Sequence, residues 1–436
     1  MGAAVLEKLF NLRENRTDVR TEIVAGVTTF LTMAYIIVVN PDILSIAGMD
    51  KGAVFVATCL AAALSCLIMG LYANYPIALA PGMGLNAYFS FGLVKGMGLT
   101  WQVALGAVFI SGLLAVLLSL SPLREWLFNA IPKTLKMAIS AGIGLFLGII
   151  ALKNAGIVVA SPATYVTLGD LTKAPAALAA FGFLLMVALD ARRVLGSIII
   201  AILVTTALGV VLGVTPSQGL VDVPPSLTPT LFQLDIVGAL QLGLITIIIA
   251  LLFVDLFDTA GTLVGIAHRA GLLTPDGKLP RLRKALVADS SATMIGALLG
   301  TSNTTSYIES AAGVKAGGRT GMTAVTVAGL FLLALFLAPL ADTVPAYATA
   351  PALLYVACLM ARGLVEVDWE DPTEYAPAVV TAIAMPLTFS IATGIAFGFI
   401  TYAGIKLLSG RYREISSAVA ILALLFAARF AWIGGG

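Results

Sequence analysis

Apolar runs of about the length of a membrane-spanning helix follow one another along the chain, separated by short breaks of polar residues, glycine and proline. They fall at about 21–39, 53–73, 75–94, 101–120, 137–152, 174–189, 195–214, 238–263, 285–300, 304–314, 320–341, 345–361, 375–389 and 391–408. The pattern predicts an all-α membrane protein of fourteen transmembrane segments. A further run from Ile415 to Trp432 contains Arg429 and fits either an interfacial helix or a fifteenth span.

Two of these runs are poor continuous helices. The third, YPIALAPGMGLNAYFSFG from Tyr75, carries Pro81, Gly82 and Gly84, and proline lacks a donor while glycine costs backbone order. It predicts an extended stretch over Ile77–Ala80 and a half-helix from near Gly82. The tenth, TSNTTSYIESAAG from Thr301, opens with Ser, Thr and Asn, which favour caps and extended backbone, and predicts a small-residue helix from about Glu309. Irregular backbone at membrane depth survives only where protein or a wet cavity satisfies its N–H and C=O groups. The two breaks therefore predict a polar site near the bilayer midplane, where half-helix N-termini meet.

Seven segments precede the Pro-rich stretch Thr215–Asp235 and seven follow it, so the second set starts from the opposite face and the halves are related by inversion. An offset of about 230 residues lays Gly70 on Gly300, and Ala80-Pro81-Gly82 on Ser310-Ala311-Ala312.

Composition removes the alternatives. Of 436 residues, 59% are apolar and 11% charged, too apolar for a soluble enzyme, and the length leaves no room for a sizeable soluble domain. A net charge of +2 gives no field for nucleic acid. With the N-terminus inside, only Lys51, Lys95, Lys153 and Lys173 fall outside, Arg429 being unassigned, and the loop Ala267–Lys284, with His268 among its basic residues, is the strongest inner marker. Residues Met1–Arg20 read as a cytoplasmic tail without a signal-peptide cleavage site. Cys59, Cys66 and Cys358 lie in apolar runs without a CxxC pair and read as packing residues.

Against this background the buried acids stand out. Asp255 and Asp258 lie three apart on one helical face of ALLFVDLFDTAGT, and Glu309 lies at the tenth-segment break. A carboxylate at the bilayer centre costs at least ~2.5–3.5 kcal/mol, which argues for function at Asp255 and Glu309; Asp258 is equally a structural tie. Asp289 reads as a packing or interfacial polar group. Asn86, on the third-segment half-helix, adds an amide that both donates and accepts. Tyr307 and Ile308 precede Glu309 and complete the candidate set; Tyr307, with Phe89, Phe253 and Phe257, is an aromatic that could stack on a flat ligand. A membrane enzyme would need a metal set or activated nucleophile, and no HExxH or GxSxG occurs. An anion carrier would suit half-helix N-termini, but the carboxylates place negative charge where the anion would sit.

The stretches APGMGLNAYF from Ala80, LFVDLFDTAGTLVG from Leu252 and TSNTTSYIESAAGVKAGGRTG from Thr301, with NPDIL at Asn40, resemble the AzgA-type purine permeases of the nucleobase–cation symporter and nucleobase–ascorbate transporter superfamily. The resemblance covers nearly the whole chain. It implies two inverted seven-segment repeats like those of the uracil permease, core and gate domains, and a dimer; the Ala- and Gly-rich composition suggests a bacterial source and hence the inner membrane. The divisions are a tail at 1–20, core at 21–130, gate at 131–214, outer loop at 215–236, core at 237–341, gate at 342–410 and an apolar C-terminal segment at 411–436. It further implies adenine, guanine or hypoxanthine as substrate, moved with protons as the coupling ion and with no other cofactor. By motif position Asp255, Glu309 and Asn86 match purine-contacting residues, and Asp258 and Gly84 match positions needed for transport. A sulfate- or bicarbonate-type anion carrier, or a uracil or xanthine carrier, remains the alternative on the same architecture.

Overall fold

Short polar side chains set where the membrane segments begin. Asp18 accepts from the Thr21 N–H at 2.9 Å, Asp50 from the Ala53 N–H at 2.7 Å and Ser390 from the Thr393 N–H at 3.1 Å, each satisfying a donor that the first helical turn leaves unpaired. Beyond each cap the sequence runs apolar. The computed structural model describes residues 2–121, 130–241, 244–269 and 280–432.

Fourteen segments appear where the apolar runs place them. Segment 1 is Val19–Ile46, segment 2 Lys51–Ala73, segment 3 79–96, segment 4 Trp101–Ser119, segment 5 Lys133–Asn154, segment 6 Ala174–Ala191 and segment 7 Ser197–Val211. Segment 8 is Ile245–Arg269, segment 9 Leu282–Leu299, segment 10 304–315, segment 11 Gly321–Thr343, segment 12 Ala346–Glu366, segment 13 Pro372–Thr388 and segment 14 Ile391–Leu408. Eight helical stretches among the described residues are at least 18 residues long and apolar enough to cross a bilayer. This is a multi-pass membrane protein.

Segments 3 and 10 are broken, as their sequences predict. Strand β1 (Leu79–Pro81) leads into the short helix Met83–Ala87, which widens into a π-helix over Tyr88–Gly96. An exposed antiparallel hairpin, β2 (Val158–Ser161) and β3 (Tyr165–Leu168), joins segments 5 and 6. Strand β4 (Thr304–Ser306) leads into the helix Ser310–Lys315. Strands β1 and β4 pair antiparallel with Leu79 opposite Ser306 and Pro81 opposite Thr304. The strand starts Leu79 and Thr304 are 304 − 79 = 225 residues apart, against 282 − 51 = 231 for the starts of segments 2 and 9, so the strand equivalence departs from the offset of those two helices. The π-helical turn Met69–Ala73, 5 residues long, closes segment 2 and has no counterpart among the elements after segment 9, so the first-half strand starts later.

The segments pack in two groups. Segments 1–4 pack chiefly with 8–11, and 5–7 chiefly with 12–14. Segment 1 is tied to segment 11 by Glu22, a fully buried carboxylate that accepts from the N–H groups of Arg319 (2.8 Å) and Thr323 (3.2 Å) and the Thr323 hydroxyl (2.6 Å). It thus closes the N-terminal end of segment 11. In the other group Lys406 of segment 14 is 1% exposed and bridges Glu374 at 2.6 Å and Glu414 at 2.5 Å, so this basic residue is a packed structural charge instead of a solvated topology marker. After segment 14 the helix Ser417–Trp432 turns back along it, with Phe426 and Phe430 against Phe399 and Phe397.

Candidate functional site

The pairing of β1 with β4 brings the two breaks together and settles most of their backbone. Two further bonds extend the ladder, from Gly82 N–H to the Asn303 carbonyl at 2.8 Å and from Tyr307 N–H to the Ala78 carbonyl at 2.9 Å. On the other edge of β1 the Leu79 N–H and carbonyl both meet the Cys66 thiol, at 3.1 and 3.3 Å. Cys66 is therefore a backbone partner as well as a packing residue; Cys59 is buried as expected, Cys358 is exposed and so not a core packing residue, and all three are free thiols.

Behind β4 stands Asp289. It is fully buried on segment 9, and one oxygen accepts from both the N–H and the hydroxyl of Ser306, at 2.8 and 2.7 Å. The other accepts from the Thr259 hydroxyl of segment 8 at 2.5 Å. Asp289 thus fixes the strand to two helices, a more specific role than the packing group its sequence suggests. The signal is weak because it sits among small residues, in LVADSSAT.

The candidate residues are distributed as follows. Asn86 is fully buried and donates from Nδ2 to Oδ1 of Asn40 at 2.8 Å, while its own Oδ1 is buried with no partner among the described residues. Glu309 is half-buried, and its Oε1 accepts from the Tyr35 hydroxyl at 2.6 Å. Tyr307 is buried, its hydroxyl donating to the Pro81 carbonyl, whereas Ile308 is 47% exposed. Asp255 is 1% exposed and lies 3.4 Å from the Thr293 hydroxyl of segment 9, which has a nearer acceptor in the Thr304 carbonyl at 3.0 Å. The side chains of Asp258, Phe257 and His268 lie outside the described residues, although their backbone belongs to segment 8. Segment 1 connects the set in a way its plain apolar run does not announce. Its helix is interrupted at Ala34–Tyr35, and Tyr35 in the interruption and Asn40 beyond it reach the two broken segments.

Gly84 marks where the two packing groups touch. A methyl group there would lie 2.6 Å from Cγ2 of Ile143 on segment 5, closer than any real contact. Gly84→Ala is expected to cut the uptake rate about tenfold or more, a barrier rise of ~1.4 kcal/mol, and Ile143→Ala in the same chain to restore most of it. Uptake by the double variant no better than by Gly84→Ala alone would locate the requirement elsewhere. A cavity of about 610 Å³ opens at the end carrying the 215–235 loop, again between the groups. Asp42 on its wall pairs with Lys51 at 2.7 Å and accepts from Thr349 of segment 12 at 3.3 Å.

The architecture is that of known carriers. The transmembrane domain of a cyanobacterial bicarbonate transporter, BicA, superposes with a TM-score of 0.64 at 17% identity, covering 88% of this chain and 97% of that one. In sequence the chain is 54% identical to a permease of Methanocaldococcus jannaschii over 99% of both chains. It is 49% identical to the adenine permease AdeP of Escherichia coli over 99% of this chain and 97% of that one. To the guanine/hypoxanthine permease PbuG of Bacillus subtilis it is 46% identical, over 98% of this chain and the whole of that protein. The Xan_ur_permease family model, described as Permease family, matches residues 20–397, almost the full run of segments. The chain belongs to the Permease family and is a membrane transporter, not an enzyme.

Proposed function

We propose that the protein imports purine nucleobases, namely adenine, guanine or hypoxanthine, by proton symport across the bacterial inner membrane. The observation that carries this reading is the pair of acceptors offered by the two broken segments, the Glu309 carboxylate and the unpaired Oδ1 of Asn86. A purine is flat and neutral and carries N–H donors on its edges that suit both. Asp255 is the third candidate purine contact on the strength of its motif. The adenine and guanine/hypoxanthine permeases among the relatives support the substrate class.

In this reading segments 1–4 and 8–11 form a core that carries the site, and segments 5–7 and 12–14 form a gate. Alternating access moves one against the other. The N-terminus lies inside, the 215–235 loop and the Asp42 cavity lie outside, and the carrier works as a homodimer. Glu309 or Asp258 takes the coupling proton.

The anion reading has less support despite the fold shared with a bicarbonate transporter, a likeness that speaks to fold alone. The N–H groups of Ser310, Ala311 and Ala312 are spent on the carbonyls of Tyr307, Ile308 and Glu309, so they are not turned toward an anion. In cells lacking their own purine permeases, expression is expected to give accumulation of radiolabelled adenine or guanine that collapses with a protonophore. Absence of any purine uptake would bring the anion reading forward, and uptake indifferent to the protonophore would remove the symport.

A further inference from the structure

Neither Tyr35 nor Asn40 of segment 1 belongs to a broken segment, yet each contacts one of the two groups on which the purine reading rests. Both are fully buried. The Tyr35 hydroxyl donates to Oε1 of Glu309 at 2.6 Å.

The Asn40 contact carries directional information. The Thr58 hydroxyl gives its proton to the Val54 carbonyl at 2.6 Å, so toward Asn40, 2.7 Å away, it can only accept. That fixes Nδ2 of Asn40 on the Thr58 side, where it also reaches the Thr301 hydroxyl at 2.7 Å, and leaves Oδ1 to face Asn86. Asn86 must then present its Nδ2 to Asn40 and its Oδ1 away from it, and this is the buried oxygen with no partner. A buried acceptor left unpaired is costly, and a ligand N–H recovers that cost.

We propose that Tyr35 and Asn40 are positioning residues of segment 1 that set the polarity of the site: Tyr35 holds Glu309, and Asn40 turns Asn86 so that it offers an acceptor. The ligand therefore meets acceptors from both broken segments and must bring N–H donors to both. This rests on the purine reading above and deepens it.

Affinity for radiolabelled adenine and guanine, measured on purified protein together with thermal unfolding, tests the proposal. Tyr35→Phe removes one oxygen and keeps the ring, and is expected to weaken affinity about tenfold with little change in unfolding temperature. In a Glu309→Ala background the same change should cost less than threefold, because the acceptor that Tyr35 holds is gone. Asn40→Ala should likewise weaken affinity in the wild type and be nearly silent in an Asn86→Ala background. Unchanged affinity in Tyr35→Phe, or an equal loss in both backgrounds, overturns the proposal. If a single background binds too weakly to measure, the Tyr35→Phe affinity and unfolding temperature decide: an unfolding loss without an affinity loss means a structural role only. A wild-type protein that binds no purine would instead sink the purine reading itself.

Discussion

Glu309→Gln is expected to abolish concentrative purine uptake at every pH and to weaken purine binding by about ten- to a hundredfold. The substitution keeps the shape of the side chain and an oxygen for the Tyr35 hydroxyl, now 2.6 Å from Oε1. What changes is the second position, where a carboxylate oxygen becomes an N–H₂ donor. A ligand N–H that met an acceptor there would meet another donor. Hydrogen bonds to charged groups are worth about 1.5–3 kcal/mol, the source of the affinity range. The transport loss has a separate cause, since an amide cannot take up the coupling proton. In symport, proton and substrate must each favour the binding of the other, and removing the proton site removes that linkage even where substrate still binds. The two effects are separated by equilibrium binding on purified protein and by accumulation ratios in vesicles with an imposed pH gradient. Normal binding with accumulation retained at all pH values would exclude Glu309 as the proton site and leave Asp258 as the candidate.

How far the sequence carries depends on whether a feature is local. The fourteen segments follow from runs of apolar residues, and their starts from single capping side chains such as Asp18, Asp50 and Ser390, so both are readable along the chain. The breaks in segments 3 and 10 are equally local, since Pro81 with its neighbouring glycines and the run Thr301–Ser306 are incompatible with an uninterrupted helix. The pairing of those breaks is not local. Nothing in either stretch says that Leu79 lies opposite Ser306, and segments 2 and 9 suggest a different offset because segment 2 carries an extra π-helical turn.

The acids show the same limit more sharply. An acid in an apolar run without a basic neighbour reads as functional, which singles out Asp255, Asp258 and Glu309. In the fold, Glu22 and Asp289 are buried more completely than Glu309. What separates them is the supply of donors. Glu22 is saturated by the start of segment 11 and Asp289 by Ser306 and Thr259, donors that come from segments distant in sequence. Glu309 receives a hydroxyl from Tyr35 and is only half-buried, less completely than Glu22 and Asp289. Burial of an acid is legible in the sequence, while the satisfaction of its oxygens, which distinguishes structural from functional groups, exists only after folding.

That distinction gives Asp289 the largest expected effect on stability. Asp289→Ala leaves the Ser306 N–H and the Ser306 hydroxyl without their acceptor at membrane depth, where no water replaces it, while the Thr259 hydroxyl turns to Thr305, 3.1 Å away. Each buried donor so left costs about 1–3 kcal/mol. The loss falls on β4, so it should also displace Tyr307 and Glu309, which follow the strand directly, and uptake should vanish with it. Asp289→Asn should behave differently. Its oxygen can still accept both bonds from Ser306, and its amide can donate to Thr259, because a hydroxyl accepts as readily as it donates and Thr259 has Thr305, 3.1 Å away, to take its own proton. The asparagine variant is therefore expected to retain most of the thermal stability in detergent and a substantial share of uptake, with the alanine variant unfolding many degrees lower. Equal stability of the alanine variant and the wild type would show that β4 holds its place without Asp289.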